Sequence, residues 1–302
     1  VELRSLRYFL AVVHSGSLNK AASDLRLSQP ALSRAIAALE REMGFPLFHR
    51  RARGVTLTES GERIVGLAKR VVADADELIR ESVDLRTSVG GRVFAGLTVS
   101  LTEAIYTATL SAVVESAPGI RVTSQGFYSP EAAISGVLDG TLDLAIVGHR
   151  IDPRAPGIRT EALYSESIVV AVPRDSVLVA HAALPVELLE GQPFIADPPG
   201  SEMRTILDEY VESRGARIVT EVSFRQAVLP MVARGTGLAL LPAGLLKLTG
   251  RTDIVAIPLA LEEQIPIWLV TRPQATASAA LFASAARASA GRIHRSHRGD
   301  SS

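Results

Sequence analysis

Apolar residues at Leu3, Leu6, Phe9, Leu10 and Val13 recur at helical spacing, which predicts a first helix over 3–14. Gly16 ends it. Ser17 suits the N-cap of a second helix carrying Leu18, Ala21, Ala22 and Leu25 on one face. After a tight Arg26-Leu27 connection, Ser28 caps a third helix, with Pro30 tolerated in its first turn. Ala31, Leu32, Ala35, Ile36 and Leu39 form its buried stripe, and Gln29, Ser33 and Arg34 fall on the other side. Beyond Gly44, Leu47-Phe48, a basic turn ending at Gly54 and Val55-Thr56-Leu57 predict a two-stranded hairpin. Three helices and a basic hairpin make a winged helix-turn-helix over residues 1–60.

From Thr58 to about Thr87 the period is again helical, with Ile64, Ala68, Val71, Ala75, Leu78 and Leu85 on one stripe widened by Val65, Val72 and Ile79. A helix of this length cannot cover such a stripe alone, and its heptad-like seam points to a partner helix in a dimer. Residues 58–87 are therefore read as a linker helix and 88–91 (Ser-Val-Gly-Gly) as a hinge. Beyond the hinge, strands are predicted at 93–99, 119–127, 142–148, 167–173, 193–197, 217–224, 237–242 and 266–271. Helices are predicted at 103–116, 130–139, 202–214, 226–234 and 276–289. Strands alternating with helices imply parallel sheets in an α/β architecture. Residues 290–302 lack periodicity and are expected to be disordered.

Charge changes this picture more than composition does. The formal net charge is zero, but residues 1–60 hold nine Lys/Arg against five Asp/Glu, and residues 88–286 hold 14 against 20. A basic head on an acidic body is a two-function layout. The chain has no cysteine, which excludes disulfides, thiolate metal sites and cysteine nucleophiles. No long apolar run or secretory leader is evident, so a cytoplasmic protein with no membrane partner is expected. Lysine occurs only at 20, 69 and 247, so the other 29 basic residues are arginine, and a lone arginine carries little information.

The third helix is the strongest candidate for chemistry. The major groove admits one α-helix, and Gln and Arg can bond adenine and guanine edges in bidentate fashion. Short Ser28 and Ser33 can reach phosphates without lifting the helix off the duplex. His49, Arg50, Arg51 and Arg53 place a basic wing beside it. A solvated polar face with a basic loop explains either piece alone; their order and spacing together favour double-stranded DNA.

At this point the stretch LRYFLAVVHSGSLNKAASDLRLSQPALSRAIAALEREMGFPLFHRRARGVTLTESG closely resembles the N-terminal domain of LysR-type transcriptional regulators. The Ala-Ala pair, SQPALSR, the PLF run and the R-x-R-G wing carry it, and VARGTGLALLP extends it towards the C-terminus. The resemblance implies DNA contacts from Gln29, Pro30, Ser33 and Arg34, with Ser28 at the cap and Arg50, Arg51 and Arg53 on the wing. It also implies a bacterial regulator, commonly a tetramer built as a dimer of dimers, that binds two-fold-related operator DNA and contacts RNA polymerase if it activates. Its sensor, over 92–289, is similar to periplasmic binding proteins. Lobe I is expected at about 92–162 and 267–289, and lobe II at about 163–266, with an effector between them.

In α/β sheets ligands sit beyond the carboxyl ends of strands, against helix N-termini. Ser100 and Glu103 have the spacing of a capping box, Ser129 precedes Pro130, and Pro199-Gly200-Ser201 precedes a helix. Ser100, Thr102, Ser129, Gly148, Pro199, Ser201 and Gln226 are thus effector candidates, although each serine can equally only cap its own helix. Free helix N-termini favour an anionic effector. His149 is read as a surface-loop histidine. No nucleophile elbow, Walker loop, dinucleotide fingerprint or HExxH motif occurs, so no cofactor, metal site or enzyme is expected. Two rivals are an exported solute receptor, disfavoured by the basic head, and a constitutive repressor with a vestigial cleft.

Overall fold

The computed structural model of the chain describes residues 1–51, 54–87, 91–99, 101–150, 152–211, 215–260 and 264–299. It divides into two compact units, residues 1–88 with 138–141 and residues 89–137 with 142–302.

The first unit begins with helices α1 (Leu3–Ser15), α2 (Leu18–Asp24) and α3 (Gln29–Met43). Gly16 and Gly44 end α1 and α3 in the left-handed conformation that glycine adopts without a Cβ penalty. Ser17 and Ser28 accept the backbone N–H of Lys20 and Ala31, as the N-cap reading requires. Arg26 adopts a positive φ in the α2–α3 turn. Strands β1 (Phe48–Arg51) and β2 (Gly54–Leu57) pair antiparallel, Phe48 opposite Leu57 and Arg51 opposite Gly54. The core joins Leu6, Phe9, Val12, Leu32, Ile36, Leu39 and Leu47, and Phe48 packs its ring 5.4 Å from that of Phe9. The Glu40 carboxylate accepts from the backbone N–H of Leu47 (2.7 Å) and Phe48 (3.2 Å), tying α3 to the wing.

Helix α4 (Glu59–Thr87) follows. Its stripe does not stay together as one seam. Ile64, Val65, Ala68 and Val72 pack on the winged core, with Arg7 of α1 pairing with Asp76, whereas Leu67, Val71, Leu78 and Ile79 are exposed. The period shows which positions are apolar, but α1 is already there to cover one face. Of the hinge, residues 88–90 lie outside the described residues.

The second unit runs β3 (Arg92–Thr98), α5 (Glu103–Ser116), β4 (Arg121–Phe127), α6 (Pro130–Leu138), β5 (Leu144–Gly148) and β6 (Arg159–Glu166). It continues with β7 (Ile168–Pro173), β8 (Pro193–Ala196), α7 (Glu202–Ile206), β9 (Arg217–Glu221), α8 (Val228–Ala233) and β10 (Ala239–Pro242). Then come α9 (Ala243–Thr249), β11 (Ile254–Pro258), β12 (Ile265–Thr271) and α10 (Ala277–Gly299). Lobe I is a five-stranded sheet ordered β4-β3-β5-β12-β6. β3 is parallel to β4 and β5, while β12 is antiparallel to β5 and β6. In lobe II β10 and β11 flank β7, both antiparallel, and a bridge from Phe194 to Leu238 joins the parallel pair β8–β9 to β10.

Several expectations change here. The sheets are mixed rather than parallel, because β12 returns from lobe II and β10 and β11 fold back on β7. β6 and β11 were absent from the predicted strands. β6 is a sheet-edge strand, TEALYSE within it, mostly exposed and without clean alternation. β6 and β12 both belong to the lobe I sheet, so the chain crosses near residue 167 and again near 264 rather than at 163 and 267. Helix 202–214 is a five-residue α-helix followed by a wider π turn over Leu207–Val211, with 212–214 outside the described residues. The segment expected to be a disordered tail instead continues α10 to Gly299. At the first crossing, Glu166 is fully buried and accepts from the Tyr164 hydroxyl (3.2 Å) and the Gly244 N–H (3.2 Å). That pairing gives a buried carboxylate the partners it needs, and burial beside Glu166 pushes the Tyr164 hydroxyl up.

Candidate DNA-reading face and interlobe cleft

On α3 the apolar Leu32, Ile36 and Leu39 are buried, and Gln29, Pro30 and Arg34 are exposed. Ser33 is half-buried, and Arg34 Nε donates to the Pro30 carbonyl at 3.3 Å, a long bond that a better acceptor can replace. Ser28 spends its Oγ on the Ala31 N–H, so it is first a cap. The sequence reading set Gln29, Ser33 and Arg34 opposite the buried stripe; Gln29 and Arg34 are exposed there, and Ser33 is half-buried. Arg50 and Arg51 lie on β1 opposite Val55 and Gly54, with side chains outside the described residues, as is all of Arg53. The wing is held by the Val55 N–H donating to the Gly16 carbonyl at 3.0 Å. A Cβ on Gly54 would lie 2.6 Å from that same oxygen, which leaves glycine as the residue that fits.

Between the lobes of the second unit, charged side chains cross the cleft in two groups. In the first, Arg150 of lobe I donates through Nε to Glu202 (2.9 Å) and through Nη1 to Glu209 (2.7 Å) of lobe II. His149 stands with Nδ1 3.4 Å from Glu202 and Nε2 3.7 Å from Glu131. Glu131, His149, Arg150 and Glu202, with Pro130, Gly200 and Thr205, line a cavity of about 510 Å³. In the second group, Arg225 donates to Asp197 (3.1 Å) while its Nε faces Glu103 at 3.5 Å. Arg225 is 10% exposed, and its Nε has no hydrogen-bond partner among the described residues. The Tyr128 hydroxyl donates to the Ser223 carbonyl beside it. A second cavity of about 490 Å³ runs from Glu103, Arg225 and Gln226 along Leu229, Leu241 and Leu245.

The sequence candidates fall unevenly on this geometry. Ser100 lies outside the described residues. The α5 N-cap is Thr102, whose hydroxyl turns back to the Thr98 carbonyl (2.9 Å), so Glu103 is the first helical residue rather than a capping-box partner. Ser129 and Ser201 do cap their helices, accepting from Ala132 (3.3 Å) and Arg204 (3.1 Å). Gly148 is buried, bonded to the Thr98 hydroxyl, and a Cβ there would press on Leu101 at 2.6 Å. Pro199 is exposed and Gln226 lines the second cavity. His149 is not a surface-loop residue: it is half-buried between two glutamates. It and Arg150, Glu202 and Arg225 were missed as a group, because the chain separates them by up to 76 positions and only the folding of lobe II over lobe I unites them. The one signal was His149-Arg150 directly after a strand end.

The His149–Glu202 pair carries a pH dependence with a definite sign. The hydrogen bond to Glu202 outweighs burial and raises the His149 pKa. Burial pushes Glu202 up, but its bonds to His149 and Arg150 prevail and hold it below the usual carboxylate range. Stability from His149 is therefore complete below about pH 6.5, the ordinary histidine value, and is lost as pH rises through the raised pKa. Stability from Glu202 is present above its ordinary value and is lost as pH falls through the lowered one. Melting temperatures of wild type and His149→Gln should differ most near pH 6 and converge on the alkaline side. A difference that stays constant from about pH 5 to 9 would show the pair to be uncoupled from protonation.

A helix-turn-helix head with a basic hairpin, followed by two α/β lobes around a charged cleft, defines a ligand-responsive DNA-binding regulator. Residues 3–62 match the family described as bacterial regulatory helix-turn-helix protein, lysR family, and residues 86–290 match the LysR substrate binding domain, so the chain belongs to the LysR family of transcriptional regulators. It is 34% identical over 257 residues to the HTH-type transcriptional regulator TfdS of Cupriavidus pinatubonensis, covering 80% of this chain and 83% of that one. It is 28% identical over 246 residues to the RuBisCO operon transcriptional regulator of Allochromatium vinosum, covering 79% and 78%. The fold is shared with CbnR, a LysR family transcriptional regulator (TM-score 0.68, 23% identity, 96% of this chain and 99% of that one). CbnR has also been solved complexed with its target DNA (TM-score 0.66, 24% identity, 96% and 100% covered). The relatives are regulators of transcription, and the chain is one of them rather than an enzyme.

Proposed function

We propose that the regulator reads a two-fold-related operator through α3 and responds to a small molecule bound between its lobes. Gln29, Pro30, Ser33 and Arg34 enter the major groove, Ser28 caps the helix against a phosphate, and Arg50, Arg51 and Arg53 carry the wing along the backbone. The exposed Leu67, Val71, Leu78 and Ile79 of α4 pair with the same face of a second copy, and two such dimers assemble as a tetramer. The protein acts in the cytoplasm on nucleoid DNA and, if it activates, contacts RNA polymerase.

The observation that carries the effector reading is Arg225, almost fully buried in the cleft with an unsatisfied Nε–H. An acidic group on the effector takes that donor and displaces Glu103, with Gln226 lining the same cavity; Ser100, Thr102, Ser129, Gly148, Pro199 and Ser201 are the further candidates for contact with it. Occupation then shifts the balance between two lobe arrangements, which requires a ligand with different affinity for each. Support comes from the cross-lobe ion pairs that an occupant has to rearrange, Arg150 with Glu202 and Glu209 and Arg225 with Glu103. In a thermal-shift panel of small organic acids, a ligand at about 100 times its Kd stabilises by about 2.7 kcal/mol. Arg225→Ala should abolish that stabilisation and the accompanying change in footprint length, yet bind DNA like wild type without ligand. Footprints and melting temperatures indifferent to the whole panel would favour the constitutive repressor instead.

A further inference from the structure

We propose a second anion-binding site in lobe I, at the end of the sheet opposite the interlobe cleft. A cavity of about 700 Å³ there is lined by Arg154, Arg159, Arg272 and Arg287, with Glu161 as the acidic residue among its lining. Its place follows from strand register. Gly148, at the cleft end of β5, lies opposite Ile267, whereas Leu144 at the other end lies opposite Thr271, which in turn faces Arg159 on β6. Four residues of strand, about 13 Å, therefore separate the two ends. The chain also enters lobe I at this far end, through Arg92 at the start of β3.

The charge distribution distinguishes this cavity from the cleft. Around the cleft, Glu103, Glu131, Asp197, Glu202 and Glu209 face Arg150, Arg225 and His149, so carboxylates are in excess. The far cavity reverses that balance. Arginine is abundant in this chain, so one arginine there would mean little; four converging on one concavity of small-molecule size is a different observation. Arg287 is held by both oxygens of Glu161 through Nε (3.1 and 2.8 Å), Arg154 by Asp152 (2.8 Å), and Arg272 lies 3.5 Å from Asp143. Arg159 has no carboxylate within ion-pair distance among the described residues. Planar guanidinium forks match carboxylate and phosphate oxygens. Ile158, Leu269 and Ala280 supply an apolar wall, so the site fits an organic anion better than a bare ion. The ligand class is a small metabolite carrying two or more negative charges, a phosphomonoester or a polycarboxylate. Its charge engages Arg159 and draws Arg287 away from Glu161.

Glu161 gives the proposal a sign, because it competes with the ligand. Calorimetric titration of the full-length protein with citrate and with glucose 6-phosphate, at fixed ionic strength and with glucose as the neutral control, tests it. At least one anion should bind, and which one separates carboxylate from phosphate recognition. The double variant Arg159→Ala/Arg287→Ala should weaken binding at least tenfold, and Glu161→Gln should strengthen it several-fold. All three positions are solvent-exposed, so the variants should retain the wild-type fold. Arg225→Ala should leave this binding unchanged, so failure of the cleft reading and failure of this one are distinguishable. Binding by neither anion, or binding indifferent to the double variant, overturns the site. Loss of DNA affinity in the double variant without any anion binding also overturns it and reassigns these arginines to the phosphate backbone.

Discussion

Replacing Gly61 by alanine is expected to destabilise the winged unit by about 1–3 kcal/mol, the usual cost of forcing an extra methyl into a packed site. Gly61 is buried in the first turn of α4, and its N–H donates to Thr58 Oγ1 at 3.0 Å. A Cβ there would lie 2.3 Å from the Leu47 carbonyl oxygen and 2.9 Å from the Leu57 side chain. The oxygen is backbone and already accepts the Thr58 N–H, so it cannot swing aside as a flexible side chain would. The control is Gly66→Ala, five residues along the same helix, where the nearest atom to a Cβ is the Arg70 guanidinium at 3.8 Å. There the gain in helix propensity, about 0.5–1 kcal/mol, is unopposed and the variant should be more stable. Thermal unfolding of the two variants should shift in opposite directions. Equal shifts would mean that the contact at Gly61 does not restrain the fold.

Arg34→Ala is expected to reduce operator affinity about tenfold or more, since a bidentate base contact is worth roughly 1–3 kcal/mol of discrimination. Arg34 is exposed on α3 and its present bond to the Pro30 carbonyl is weak, so it is available without disturbing the core. Non-specific binding should fall much less. Arg34→Lys sharpens the test, because lysine keeps the charge and loses the fork. If Lys restores operator affinity, Arg34 is a phosphate anchor and base reading moves to Gln29 and Ser33. Titrations at several salt concentrations separate the two, since each phosphate contact contributes a slope of about one to log affinity against log salt.

Much of the first unit was legible because its signals are local. Ser17 and Ser28 are caps within a few residues of the N–H groups that they satisfy, and the spacing of Leu32, Ile36 and Leu39 already states which face of α3 is buried. β5 was legible for a related reason: LAIVG is apolar throughout because it is buried on both faces. β6 was not, since an edge strand can be polar on its open side, and its pairing with β12 spans about a hundred residues. The α4 stripe was found but only half understood, because periodicity does not say whether α1 or another copy covers it.

The candidate site divides along the same line. Sequence alone determined the polar face of α3 opposite its buried stripe, the order of the domains, the absence of thiol chemistry and the caps at Ser129 and Ser201, all features set by neighbours in the chain or by composition. Only the tertiary structure decided that His149 meets Glu131 and Glu202, that Arg225 is buried between Asp197 and Glu103, and that four arginines converge at the far end of lobe I. Ion pairs and cavities form between residues that the chain holds far apart. Their partners are chosen by register and lobe packing, and no period or motif along the sequence encodes that choice.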